Sequence, residues 1–293
     1  MSQLFEKHNF IAHRGLHNEK IAENSLSAFN EAIKNNYAFE LDVHIIKDGS
    51  IIVFHDENLK RMCNEDKSIY DLTLKELKTY NLLNTTEKIP TLKEVLNQTN
   101  GKVPILIEIK DNKHKNIVQK TLEIIKDYNG EIAFQSFNPL YLRKIKKLAP
   151  KFKTCLLWSK LDANDTPKNL KKITKFILYK LLLFKFCKAT FISAKLEDLN
   201  KTAIKKAKGN LIVWCITSNN QLAKAKEISK NFIFENLIVK KAKLIAKSFA
   251  KLNYLNTWKK HIETFVVNLV KLITFKVHFK LYQYVFLIKL KSF

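Results

Sequence analysis

Apolar residues along this chain come in short runs, most of them separated by stretches with helical spacing. Runs rich in β-branched and aromatic residues fall at 10–12, 39–43, 51–54, 103–109, 132–137, 153–157, 190–193, 211–216 and 232–234. Such runs read as strands. Between most of them, apolar residues recur three and four apart, at 25–35, 116–128, 139–148, 169–187, 200–207 and 221–230. That spacing predicts helices with one buried face. Pro139, just after Asn138, stands where a helix start tolerates proline. The run at 51–54 follows "KDGS" and reads as one arm of a local hairpin. Eight strands remain. Alternating with helices over about 240 residues, they predict an α/β fold, a closed (β/α)8 TIM barrel. A doubly wound open sheet has the same periodicity.

Residues 45–99 are too many for a plain crossover. They hold the hairpin, a short helix near 73–80 and another at 92–98, and read as a small insertion after strand 2. The barrel domain is expected over 1–252. Residues 241–293 carry eleven lysines and one acid among Phe, Val, Leu, Ile and Tyr. Within them, 253–293 has no clean helical face and forms a basic, apolar C-terminal extension of unassigned fold.

In a barrel, ligands sit at the C-terminal ends of the strands, so polar residues ending apolar runs are the candidates. They are His13 and Arg14 in the first run, Glu40 and Asp42 in the second, and His55 and Asp56 in the hairpin. Glu108 and Lys110 end the third, Gln135 and Ser136 the fourth, and Trp214 and Thr217 the seventh. Side chains two apart on a strand share a face. If the second and third strands are neighbours, Glu40, Asp42 and Glu108 converge. Three close carboxylates raise one another's pKa unless neutralised. A hard divalent cation with oxygen ligands, Mg²⁺ or Ca²⁺, resolves this; ion pairs to Arg14 and Lys110 without a metal are the alternative. His13 and His55 both end strands beside charged neighbours and suit an acid and base pair. The other six histidines, His8, His17, His44, His114, His261 and His278, are expected to be surface or core residues.

Several stretches then fall into one order: "AHRG" at 12–15, "AENSLSAFNEAI" at 22–33, "FELDV" at 39–43, "KDGSIIVFHDENLKR" at 47–61, "IPTLKEVL" at 89–96 and "LIEIK" at 106–110. In order and spacing they resemble the glycerophosphodiester phosphodiesterase family. The resemblance continues more weakly through "FQSFNP" at 134–139 and "VWCITSNN" at 213–220. It implies a barrel that cleaves glycerophosphodiesters to glycerol phosphate and an alcohol with a divalent cation. Position by position, Glu40, Asp42 and Glu108 match the metal ligands and His13 and His55 the catalytic pair. Arg14 matches a phosphate-contacting arginine and Lys110 a substrate contact. Glu23 and Asn24 fall on a supporting Glu-Asn pair, and Gln135 and Trp214 fall on the pocket wall. Ala22 and Ser25 are mild departures, where the family favours proline and threonine. Glu235–Asn236 in "FIFENL" replaces the family's Thr-Asp. That departure bears on substrate fit at the eighth strand rather than on the metal or the histidines.

Charge adds a second theme. Residues 1–142 hold 18 Lys and Arg against 20 Asp and Glu, whereas 143–293 hold 34 against 7. Lys168, Lys171, Lys172 and Lys175 share one face of the helix predicted at 169–187 and its approach. A solvated helix face accounts for this. So does peripheral contact with an anionic membrane, where each nearby lysine adds about 1 kcal/mol. No nucleic acid partner is expected, because no aromatic-basic module or finger spacing occurs. The start has no signal-peptide pattern, the four cysteines have no metal or redox spacing, and no charge-free span is long enough for a membrane helix. A cytoplasmic hydrolase of a small-molecule phosphodiester is therefore expected. A lysophospholipid-cleaving enzyme at a membrane surface and a non-catalytic membrane-binding barrel are the alternatives.

Overall fold

The computed structural model describes residues 3–83, 85–111, 116–159, 182–199, 204, 207 and 209–237. Eight parallel strands close into a barrel: β1 (Phe10–Ala12), β2 (Ala38–Ile45), β4 (Ile105–Ile109), β5 (Ile132–Ser136), β6 (Lys153–Trp158), β7 (Phe191–Lys195), β8 (Leu211–Ile216) and β9 (Asn231–Phe234). Pairing of β1 with both β2 and β9 closes the ring. β3 (Ile51–Val53) lies outside it, antiparallel to the end of β2. The open doubly wound alternative is thereby excluded. The third predicted run starts two residues late, at Ile105, because Pro104 has no N–H to give to a ladder.

Helix boundaries follow local chemistry. Ser25 caps the helix Leu26–Lys34 by accepting from the Ala28 N–H. Thr91 and Glu94 form a capping box at Leu92–Thr99, and Thr73 and Glu76 form another. The helix near 73–80 is a single turn, Leu74–Leu77. Pro139 opens Pro139–Leu148 behind the Asn138 cap. Of the helix predicted at 169–187 only Leu182–Cys187 is described. The lysine face at 168–175, His114, most of 200–207 and the extension 253–293 lie outside the described residues.

Every second residue of a strand faces inward. Ile11, Ala38, Leu106, Ala133, Cys155, Phe191, Ile212 and Ile233 come from eight different strands and form one buried cluster with Leu4 and Phe5. Two residues further along most of these strands stand His13, Glu40, Glu108, Gln135, Ser193, Trp214 and Glu235. The barrel interior is thus an apolar plug with a polar layer above it, toward the strands' C-terminal ends. The outward residues pack on helices, as Phe39 does on Phe29 with ring centroids 4.6 Å apart. The segment after β2 has its own core of Ile46, Ile52, Phe54, Leu59, Met62, Ile69, Leu77, Leu82 and Ile89.

Gly15 is the close approach that lets the β1 loop run against the first helix. Its φ is +79°, and a Cβ there would lie 2.8 Å from the Ala28 carbonyl carbon. Gly15→Ala is expected to destabilise the protein by about 1–3 kcal/mol, read from the denaturant midpoint. An unchanged midpoint would refute this packing.

Candidate active site

The mouth of the barrel gathers charge that the strands place by register. Asp42 pairs with Glu108 across β2 and β4, and Glu108 with Gln135 across β4 and β5. Carboxylate oxygens of Glu40, Asp42 and Glu108 lie within 4.8 Å of one another, and all three residues are buried. Two cations meet them. Lys110 donates to Glu108 Oε1 at 2.8 Å and lies 3.2 Å from Asp42 Oδ1. Arg14 donates its backbone N–H to Glu40 Oε2 at 3.0 Å, and its Nε lies 3.6 Å from Asp42 Oδ2. Both alternatives raised by the sequence are therefore present together, an ion-paired cluster with the donor set of a hard-cation site.

Charge is unevenly settled within it. Burial opposes the Asp42 charge, but Lys110, His55, Arg14 and the Asn24 amide hold its carboxyl far below the usual range. Burial, then Asp42 and Glu108, push the Glu40 carboxyl well up. Two cations for three carboxylates leave one negative charge without a counterion, and Glu40 carries that cost. An all-oxygen donor set with excess negative charge fits a divalent cation of the Mg²⁺ or Ca²⁺ type.

Further hydrogen bonds fix these groups. Asn24 donates to Asp42 Oδ2 at 2.9 Å. Gln135 Nε2 reaches Glu40 Oε1 at 3.2 Å and Glu108 Oε2 at 3.4 Å, while Ser193 donates to its carbonyl at 3.3 Å. Glu23 accepts from Arg14 at 2.7 Å and from both terminal nitrogens of Arg61 at 2.9 and 2.6 Å. Arg61 Nε in turn donates to Asp56 Oδ2 at 2.7 Å. Arg61 thereby ties the His55 loop to Arg14.

Both histidines are oriented by a carboxylate. His13 Nδ1 lies 2.8 Å from Glu235 Oε2, and His55 Nδ1 lies 2.6 Å from Asp56 Oδ1. A carboxylate accepts, so Nδ1 carries the proton in each ring and Nε2 is left for exchange with a substrate. The hydrogen bond from His13 holds the Glu235 carboxyl down at about 2. Hydrogen bonds from His55 and Arg61 hold Asp56 below the usual carboxylate range against the opposing effect of burial.

All eleven sequence-predicted site residues lie at this end of the barrel. Nine are joined through the contacts above: Arg14, Glu23, Asn24, Glu40, Asp42, His55, Glu108, Lys110 and Gln135. His13 is held separately, by Glu235. Trp214 packs against the apolar plug and lies edge-to-face with Phe137 at 6.4 Å between centroids. Sequence reasoning missed three residues. Glu235 sits on His13, so the departure at "FIFENL" touches a histidine after all. Arg61 ends a quoted motif, and only its two ion pairs reveal its place. His44 follows Asp42 by two and so faces the same way. Its Nε2 meets the His55 carbonyl at 3.2 Å, and its Nδ1 meets the Tyr70 hydroxyl at 3.0 Å.

Comparisons with known proteins come to the same region. The family model described as the glycerophosphoryl diester phosphodiesterase family matches residues 13–231. The chain is similar to a glycerophosphodiester phosphodiesterase of Caldanaerobacter subterraneus, 37% identical over 160 residues, which are 50% of this chain and 65% of that one. It is similar to the human lysophospholipase D GDPD1, 37% identical over 134 residues, which are 41% of this chain and 42% of that one. The matches thus span less than two thirds of the length of either relative. A solved Oleispira antarctica phosphodiesterase, in complex with the product sn-glycerol-3-phosphate, has the same fold. It aligns with a TM-score of 0.65 at 20% identity over 78% of this chain and 92% of that one.

Acid should strain the floor beneath His55. Burial lowers His44 to about 4 from an unfolded value of 6.5. Its Nε2–H donates to the His55 carbonyl and its Nδ1 meets the Tyr70 hydroxyl, and burial disfavours the charged ring. The unfolded chain therefore binds more protons, and stability contributed by neutral His44 is lost as pH falls through the window from 6.5 to 4. Between pH 7 and 5 the loss is expected to be about 2 kcal/mol. His44→Gln should remove it in denaturant titrations at both pH values; an equal loss in the variant would refute the assignment.

Proposed function

We propose, starting from the fact that this chain belongs to the glycerophosphoryl diester phosphodiesterase family, that it hydrolyses glycerophosphodiesters to glycerol phosphate and an alcohol. The observation that carries this reading is a buried three-carboxylate cluster beside two histidines, each oriented by its own carboxylate. Glu40, Asp42 and Glu108 would hold the divalent cation, Mg²⁺ or Ca²⁺. When bound, it supplies positive charge against the non-bridging phosphate oxygens.

The chain's own residues do the rest. Arg14 presents a planar guanidinium whose geometry suits phosphate, with Glu23 holding it in place. Lys110 adds a second cation, and Gln135 and Trp214 line the wall. One histidine takes the proton from the attacking hydroxyl, of water or of the substrate's own glycerol. The bond from phosphorus to the leaving oxygen breaks, and the other histidine protonates that oxygen. Glu235 and Asp56 keep each Nε2 aimed and stabilise the ring when it is charged. His13→Ala and His55→Ala should each lower kcat by about 10²–10⁴-fold on glycerophosphocholine, read as released glycerol phosphate. Chelator should abolish the rate, with Mg²⁺ or Ca²⁺ restoring it. A His13→Ala enzyme as fast as wild type would refute the reading.

One observation favours a lysophospholipid substrate at a membrane surface. Phe137 and Leu140, just past the C-terminal end of β5, are 42% and 60% exposed at the mouth. They offer an apolar contact, and the cationic composition of residues 143–293 favours attraction to an anionic bilayer. No helix among the described residues is long and apolar enough to cross a membrane, so this contact would be peripheral. Sedimentation with anionic vesicles at low salt should bring the protein down, and Phe137→Ser/Leu140→Ser should weaken it. No binding would leave soluble diesters as the substrate class.

A further inference from the structure

His17 and Cys215 have no part in the proposed reaction, yet they close on the catalytic His13. Cys215 Sγ lies 3.7 Å from His13 Nδ1 and 3.6 Å from Glu235 Oε2. His17 Nε2 lies 3.6 Å from Glu235 Oε1; it is a buried nitrogen without a hydrogen-bond partner. β1, β9 and β8 are neighbours in the barrel, with β9 in the middle. β8 breaks register with β9 between Val213 and Ile216. Such irregularities re-aim a side chain, and here Cys215 meets the two inward residues His13 and Glu235.

We propose that His13, Cys215 and Glu235, whose ligand atoms lie within 4.8 Å of one another, form a second metal site, distinct from the three-carboxylate cluster, that takes a thiophilic divalent cation of the Zn²⁺ type and inhibits the enzyme. The site itself stands on geometry. The inhibition rests on the hydrolase reading above.

The spacing fits. Zinc bonds of about 2.0–2.3 Å to N, O and S in a tetrahedron place the donor atoms about 3.3–3.7 Å apart. Two of the three separations among His13, Cys215 and Glu235 fall at that span. Only the His13–Glu235 hydrogen bond, at 2.8 Å, has to open, by about half an ångström. Chemistry separates the two sites as well. A thiolate with an imidazole and a carboxylate suits Zn²⁺, whereas three carboxylates suit Mg²⁺ or Ca²⁺. Binding releases the Cys215 thiol proton to solvent and moves the single His13 ring proton from Nδ1 to Nε2. With that proton on Nε2, His13 can no longer accept one there, and Glu235 no longer orients it.

Cobalt reads this site without any assay of activity. Full-length protein in saturating Mg²⁺ should bind one equivalent of Co²⁺ and develop a thiolate-to-cobalt charge-transfer band. The carboxylate cluster has no sulfur and cannot produce that band. Cys215→Ser should lose it. Glu235→Gln, which keeps the thiol, should weaken Co²⁺ binding at least tenfold. No band in the wild type, or a band that persists in Cys215→Ser, overturns the site. Zn²⁺ should inhibit hydrolysis in competition with Co²⁺, and Cys215→Ser should raise the inhibitory concentration at least tenfold. A band without inhibition overturns the regulatory half. A protein that shows the band but never hydrolyses a diester overturns the hydrolase reading instead.

Discussion

Three carboxylates buried on adjacent strands are the constraint around which this barrel mouth is arranged. Removing ionised carboxylates from water is costly unless charge or hydrogen bonds meet them. Glu40, Asp42 and Glu108 are met by a lysine from their own sheet, an arginine from the next loop and two amides. The compensation is incomplete by one charge, and the excess appears at Glu40. A stability-driven core would have no reason to keep such a cluster. The divalent-cation site proposed above accounts for it.

The barrel supplies this arrangement through its period of two. Each strand contributes one small or apolar residue to the plug, and most contribute, two positions on, a polar residue to the layer above. Ion pairs then carry the order outward. Asp56 holds His55, Arg61 holds Asp56 and Glu23, and Glu23 holds Arg14. His13 comes from the end of β1 and His55 from the hairpin after β2. Each loop is thereby tied to the cluster rather than left to its own preferences.

Much of this was legible in the chain. The apolar runs gave eight barrel strands and the hairpin, because strands buried on both sides leave unbroken β-branched stretches. "FELDV" and "LIEIK" gave the carboxylates, since polar residues inside such runs have no other reason to be there. Contacts between residues distant in sequence were not legible. Glu235 reaches His13 across 222 positions, and Arg61 reaches Glu23 across 38. Cys215 was invisible for another reason: a register shift, not a motif, brings it to the site. The family resemblance supplied roles for single residues, which spacing could not assign.

The central claim is that Glu40, Asp42 and Glu108 together hold one divalent ion. Anomalous diffraction from crystals soaked in Mn²⁺, with the wild type and Asp42→Asn compared, tests it most directly. The account predicts a single strong peak bound by an oxygen from each of the three residues in the wild type and its loss in the variant. No peak among these carboxylates, or one that bypasses Glu108, would contradict it.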